Sequence, residues 1–85
     1  MEISVVNLHY RFRSPVGTLW IKPQPNSDRF WLGINDERVG SYHSPEAAAD
    51  DVYTQHTGWR PWDSASGLQK PRDLTEWERV PLHGS

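Results

Sequence analysis

The chain has 85 residues, a formal net charge of -2 and no cysteine. A chain this short buries only about 60–65% of its unfolded surface, so its core is thin, and neither disulfides nor thiolate–zinc sites can reinforce it. The acidic balance argues against a generally basic nucleic-acid binder. No apolar run approaches the length of a membrane span, and the start lacks the basic-then-apolar order of a signal peptide. A cytoplasmic monomer is therefore the expectation. Five tryptophans, costly to leave unused, are many for this length.

The first predicted element is "VVNLHYRFR" (5–13), where Val6, Leu8, Tyr10 and Phe12 alternate with Val5, Asn7, His9, Arg11 and Arg13. "SPVG" (14–17) is turn material, and "TLWIK" (18–22) alternates again with Leu19 and Ile21 on one side. The loop "PQPNSD" (23–28) leads to "RFWLGI" (29–34), which places Phe30, Leu32 and Ile34 together, and "NDE" (35–37) turns into "RVGSYH" (38–43). Period-two alternation bounded by such turns predicts an antiparallel meander of three to four strands within 3–43. In the last strand Val39 and Tyr42 cannot share a face without a bulge, for which Gly40 is the candidate.

"SPEAAADDVYTQHTG" (44–58) carries its own start and stop signals. Ser44 suits the N-cap, Pro45 the first turn and Glu46 the positive end of the dipole, while Gly58 is placed for a left-handed cap. The expected helix runs over 45–57. At about 100° per residue, Pro45, Ala48, Ala49, Val52, Tyr53 and His56 fall within one arc, whereas Glu46, Asp50, Asp51, Thr54, Gln55 and Thr57 fall outside it. The stripe is narrow and mostly alanine, which lets a helix lie close on a sheet. The fold class expected is α+β: an antiparallel sheet with one helix on one face.

Residues 59–85 read as an irregular tail of the same single domain, with Trp59, Trp62 and Trp77 pinning it to the body. "DLTEWERV" (73–80) is compatible with a short helix started by Asp73 and Glu76, or with an edge strand. "PLHGS" at the end is expected to fray.

The stretch "RFWLGINDERVGSYHSPEAAADDVY" resembles the strand–strand–helix part of the plant ethylene-response-factor (Apetala-type) DNA-binding domain. The matching residues are Gly40, Tyr42, Ser44, Glu46, Ala47 and Ala48, and the similarity covers roughly 18–57. It implies a three-stranded sheet backed by a helix, with a sheet face that enters the DNA major groove. The chain departs from that family in its first strand, where "SPVGTLWIK" replaces an arginine-dense stretch and Lys22 is the only basic residue. The N-terminal strand and the tail have no counterpart there. The chain is also similar to short uncharacterised bacterial proteins of this sheet-plus-helix type.

If the apolar positions face the helix, the other face carries His9, Arg11, Arg13, Trp20, Lys22, Arg29 and Trp31 without a carboxylate. Cations pair with phosphates and tryptophans stack on bases, so Arg11, Arg13, Trp20, Lys22, Arg29 and Trp31 form a candidate nucleic-acid surface. A purely structural account is that Arg and Trp stack on each other as cation–π pairs and that the tail covers them. The other functional candidate is a protein-interaction module, using exposed tryptophans or the acidic helix face at Asp50 and Asp51.

Catalysis is not expected. The histidines His9, His43, His56 and His83 lack metal-ligand spacing, so neither a metal nor a cofactor is expected. His56 is expected in the core. His43–Ser44 is not a nucleophile pair, because Ser44 is needed as a cap. The scattered glycines make no phosphate loop, and so thin a core supplies no deep cleft.

Overall fold

The computed structural model describes residues 8–81. The start of the first predicted strand (Val5, Val6, Asn7) and residues 82–85 of the expected fraying end, His83 among them, lie outside the described residues, whereas Pro81 ends a strand.

The alternating segments form the antiparallel strands β1 (Leu8–Ser14), β2 (Gly17–Pro23), β3 (Phe30–Ile34) and β4 (Glu37–Tyr42). The β1–β2 turn is held by Ser14, whose Oγ accepts from the Val16 and Gly17 amides, both at 3.2 Å. The β3–β4 turn uses Asn35 in the left-handed region, φ 54°, a conformation asparagine tolerates. Its Oδ1 accepts from the Thr18 amide at 3.1 Å, tying the turn to β2.

Register puts the expected set on one face. Tyr10 pairs with Ile21 and Phe12 with Leu19, and Leu19 and Ile21 pair in turn with Ile34 and Leu32. In β4 the register passes from Leu32–Gly40 to Gly33–Arg38, so Val39 is the extra residue of a bulge beside Gly40. This irregularity lets Val39 and Tyr42 both pack against the core.

Helix α1 (Pro45–Thr54) lies on that face and buries Ala48, Ala49 and Val52 against Leu19, Ile21, Leu32 and Ile34. Ser44 caps it, its Oγ accepting from the Ala47 amide at 3.1 Å. The helix stops three residues before the expected boundary. Gln55 itself takes the left-handed cap, φ 60°, and Gly58 serves the following turn instead. Two expectations of the helical arc fail with it. His56 lies beyond the helix, exposed, with Nδ1 3.0 Å from Thr54 Oγ1, and Tyr53 is 40% exposed. Thr57, expected outside, is buried because its amide and hydroxyl both donate to Asp63 Oδ1.

The tail is more ordered than its composition suggests. A helical turn, α2 (Arg60–Asp63), buries Trp62, whose indole N–H donates to the Val52 carbonyl at 2.9 Å. Gln55 Nε2 donates to the Trp62 and Ala65 carbonyls at 2.8 and 2.7 Å. Pro71 is fully buried, and Trp77 is buried with its ring centroid 5.9 Å from that of Phe12. Both readings of "DLTEWERV" hold in succession: a 3-10 turn at Leu74–Glu76, then strand β5 (Glu78–Pro81). β5 pairs antiparallel with β1, giving one five-stranded sheet in the order β4-β3-β2-β1-β5. The fold is α+β as expected, with a strand more than the upstream alternation supplies. Among the described residues no helix is long and apolar enough to cross a membrane.

Candidate nucleic-acid interface

Since side chains alternate along a strand, packing one face on α1 commits the remaining side chains to the other. The pairs Arg11–Trp20, Arg13–Thr18, Trp20–Gly33 and Lys22–Trp31 run across this second face, and Trp31 pairs onward with Ser41. Arg29 precedes β3 and reaches the same side, donating from Nε to Ser41 Oγ at 2.7 Å and from Nη2 to the Ser41 carbonyl at 2.8 Å. Arg11, Arg13, Trp20, Lys22, Arg29 and Trp31 thus share one face.

The indoles are held in place. Trp20 lies on Gly33, where a Cβ would stand 1.9 Å from its Cζ2, and its Nε1 donates to the Asn35 carbonyl at 2.8 Å. The Lys22 ammonium sits 4.6 Å from the Trp20 ring centroid, and the Arg38 guanidinium 4.9 Å from that of Trp31. Cation–π pairing is therefore present on this face, as the purely structural account requires. The cover it also requires is not seen among the described residues: Trp62 and Trp77 belong to the core shared with the helix, while β5 extends the sheet edge. Trp20 and Trp31 remain half-buried among their own strand neighbours.

Two members of the face escaped the alternation. Arg38 arrives because the β4 bulge shifts parity, a signal already present in the Gly40 step. Glu78 arrives with β5 and corrects the expectation of a carboxylate-free face. It takes the Arg11 guanidinium in a two-point pair, Nε–Oε1 3.0 Å and Nη2–Oε2 2.8 Å. This hydrogen bonding holds the Glu78 carboxyl below its ordinary range and raises the Arg11 guanidinium further.

His9 sits beside them, and its Nδ1 is buried with no hydrogen-bond partner among the described residues. Burial, and then the charges of Lys22 and Arg11, push its pKa below the ordinary histidine value.

The acidic helix pair is divided. Asp50 is exposed, whereas Asp51 is half-buried and accepts from the Tyr42 hydroxyl at 2.8 Å. Burial, seconded by that carboxylate, drives the Tyr42 pKa upward. Arg13 also borders a groove of about 580 Å³ between the β1–β2 turn and residues 67–70, lined as well by Phe12 and Glu76. Among the described residues no group of three or more His, Cys, Asp or Glu side chains is arranged to hold a metal ion.

Comparison with protein-family models, with curated proteins and with solved structures gives no match to this chain.

Proposed function

We propose that the protein is a non-catalytic domain that binds nucleic acid through the open face of its sheet. Arg11, Arg13, Lys22, Arg29 and Arg38 engage backbone phosphates, while Trp20 and Trp31 lie along sugars or base edges. The observation that carries this reading is one of sidedness. The helix, Trp62 and Trp77 occupy one face, and the other gathers cations around both indoles, although the whole chain has a net charge of -2.

Electrostatics supports it. Asp36, Glu37 and Asp50 lie in a turn, at a strand start and on the outer helix surface, away from the open face. Glu78 offsets one charge of the face, and field lines from the predominantly cationic remainder steer polyanions even when the total charge has the opposite sign. The resemblance to the ethylene-response-factor domain points to a sheet face docked in the major groove. The alternative, a protein partner on the acidic helix face, is weakened because Asp51 is already engaged by Tyr42.

The test is binding to a mixed-sequence duplex at low salt by the native protein and by Lys22→Glu/Arg38→Glu. The reading requires the native protein to bind and the variant to lose binding while melting as the native protein does. A native protein that ignores duplex and single strands alike at about 50 mM salt contradicts it.

A further inference from the structure

Trp20 lies face down on the sheet. A Cβ on Gly33, its cross-strand partner, would stand 1.9 Å from Cζ2 and little farther, 2.2 and 2.4 Å, from the two ring atoms bonded to Cζ2. A Cβ at the ring edge would be much farther from those two neighbours than from Cζ2, so the position lies above the ring plane. Because a Cβ at 33 stands up from the open face, the indole runs along the sheet. One π-face rests on the Gly33 backbone and the other turns outward. The Nε1 bond to the Asn35 carbonyl, 2.8 Å, fixes the ring in that pose. The Lys22 ammonium stands over the ring, 4.6 Å from its centroid. The ion pair among the described residues is Arg11–Glu78, so Lys22 is held by the indole and not by a carboxylate.

We propose that Trp20 is a stacking site for one unpaired base, so that the open face, on the nucleic-acid reading above, prefers a single strand of RNA or DNA to a duplex.

Inside a duplex the base faces are stacked on one another, and the grooves show only edges, sugars and phosphates. An indole lying flat cannot wedge into a base step, so on a duplex it lies along sugars or base edges and gains no more. A single strand has bases free to swing onto an aromatic face. Trp20 offers such a face already fixed, and little side-chain freedom remains to be lost on binding. The arriving base takes the place of the Lys22 ammonium. That cation moves to a flanking phosphate, exchanging an exposed cation–π contact for a charge-assisted hydrogen bond. Charge alone predicts the opposite preference, because the duplex carries the denser array of phosphates and the larger salt response per contact. A preference for the single strand is therefore the signature of the ring and not of the cations.

The experiment measures native affinity at about 50 mM salt for three probes. They are a mixed-sequence single strand, the same strand annealed to its complement, and a strand of equal length with abasic sites in place of bases. The expected order puts the single strand tightest, ahead of the abasic strand by about 5- to 150-fold for one stacked base. A duplex bound as tightly as the single strand, or an abasic strand bound as tightly as the normal one, overturns the proposal and leaves the nucleic-acid reading intact. Absence of binding to all three overturns both. Trp20→Leu assigns the effect to the residue: in a variant that still melts cooperatively, the ratio of single-strand to duplex affinity must fall, and an unchanged ratio overturns the assignment. If Trp20→Leu does not fold, the Trp20 ring protons of the native protein decide by NMR. They must move upfield with the normal strand and not with the abasic one, and unmoved resonances overturn the proposal.

Discussion

Trp20 lies so closely on Gly33 that a Cβ at position 33 would stand 1.9, 2.2 and 2.4 Å from the ring atoms Cζ2, Cε2 and Cη2. The glycine is therefore part of the open face, as the bed of an indole. Gly33→Ala must lift the ring, break the Nε1 bond to the Asn35 carbonyl and carry Lys22 away from its present position. Overpacking of this kind destabilises by about 1–3 kcal/mol. A lowered melting midpoint with a changed tryptophan emission is the expected outcome. An unchanged melt means that the ring is free to leave Gly33.

Gln55 is the more consequential end of helix α1. It holds a left-handed cap and donates to two carbonyls of the following turn, while its Oε1 accepts from Lys70 at 3.2 Å. Gln55→Ala leaves those carbonyls without their donor and keeps the strained backbone, a loss of about 2–3 kcal/mol. Ser44→Ala at the other end removes one cap bond, about 1 kcal/mol. Urea melts are expected to rank Gln55→Ala below Ser44→Ala; the reverse order contradicts this account of the helix end.

Glu78 is the carboxylate on an otherwise cationic face, and its pairing with Arg11 fixes the sign of its pH dependence. Its folded pKa lies below the ordinary 4.5, so its stabilisation is complete above that value. The contribution is lost as pH falls through the lower folded value. Glu78→Gln removes that acid-dependent part and leaves to a phosphate alone the Arg11 guanidinium that Glu78 otherwise shares. The variant is expected to melt nearly as the native protein does at neutral pH, since exposed pairs contribute little. It is also expected to bind duplex more tightly with a steeper salt dependence. Weaker binding contradicts the assignment of Arg11 to phosphate.

These positions differ in how visible they are in the chain. Strands β1 to β3 are legible because Tyr10, Phe12, Leu19, Ile21, Leu32 and Ile34 alternate strictly and one face must be buried. The cap at Ser44 is legible because it is a local bond. The fifth strand is not, because Glu78 meets Arg11 across 67 residues and "ERVP" carries no alternation of its own. The helix end misleads because Gly58 is the better local cap. Only the contacts of Gln55 with residues 62–65 show why the helix stops earlier. Arg38 stands between these cases: a bulge at Val39–Gly40 turns Arg38, two residues before Gly40, onto the face that carries Trp31.

The central claim is that the open face neutralises phosphates, and counterion release measures this most directly. For a duplex, log affinity falls against log salt with a slope of about 0.9 per phosphate contact. Comparing the native protein with Arg13→Gln/Lys22→Gln over about 50 to 200 mM salt is therefore decisive. The account predicts a steep native slope that flattens by about 2 units in the variant, with melting unchanged. A native slope near zero, or a slope the variant leaves intact, contradicts it.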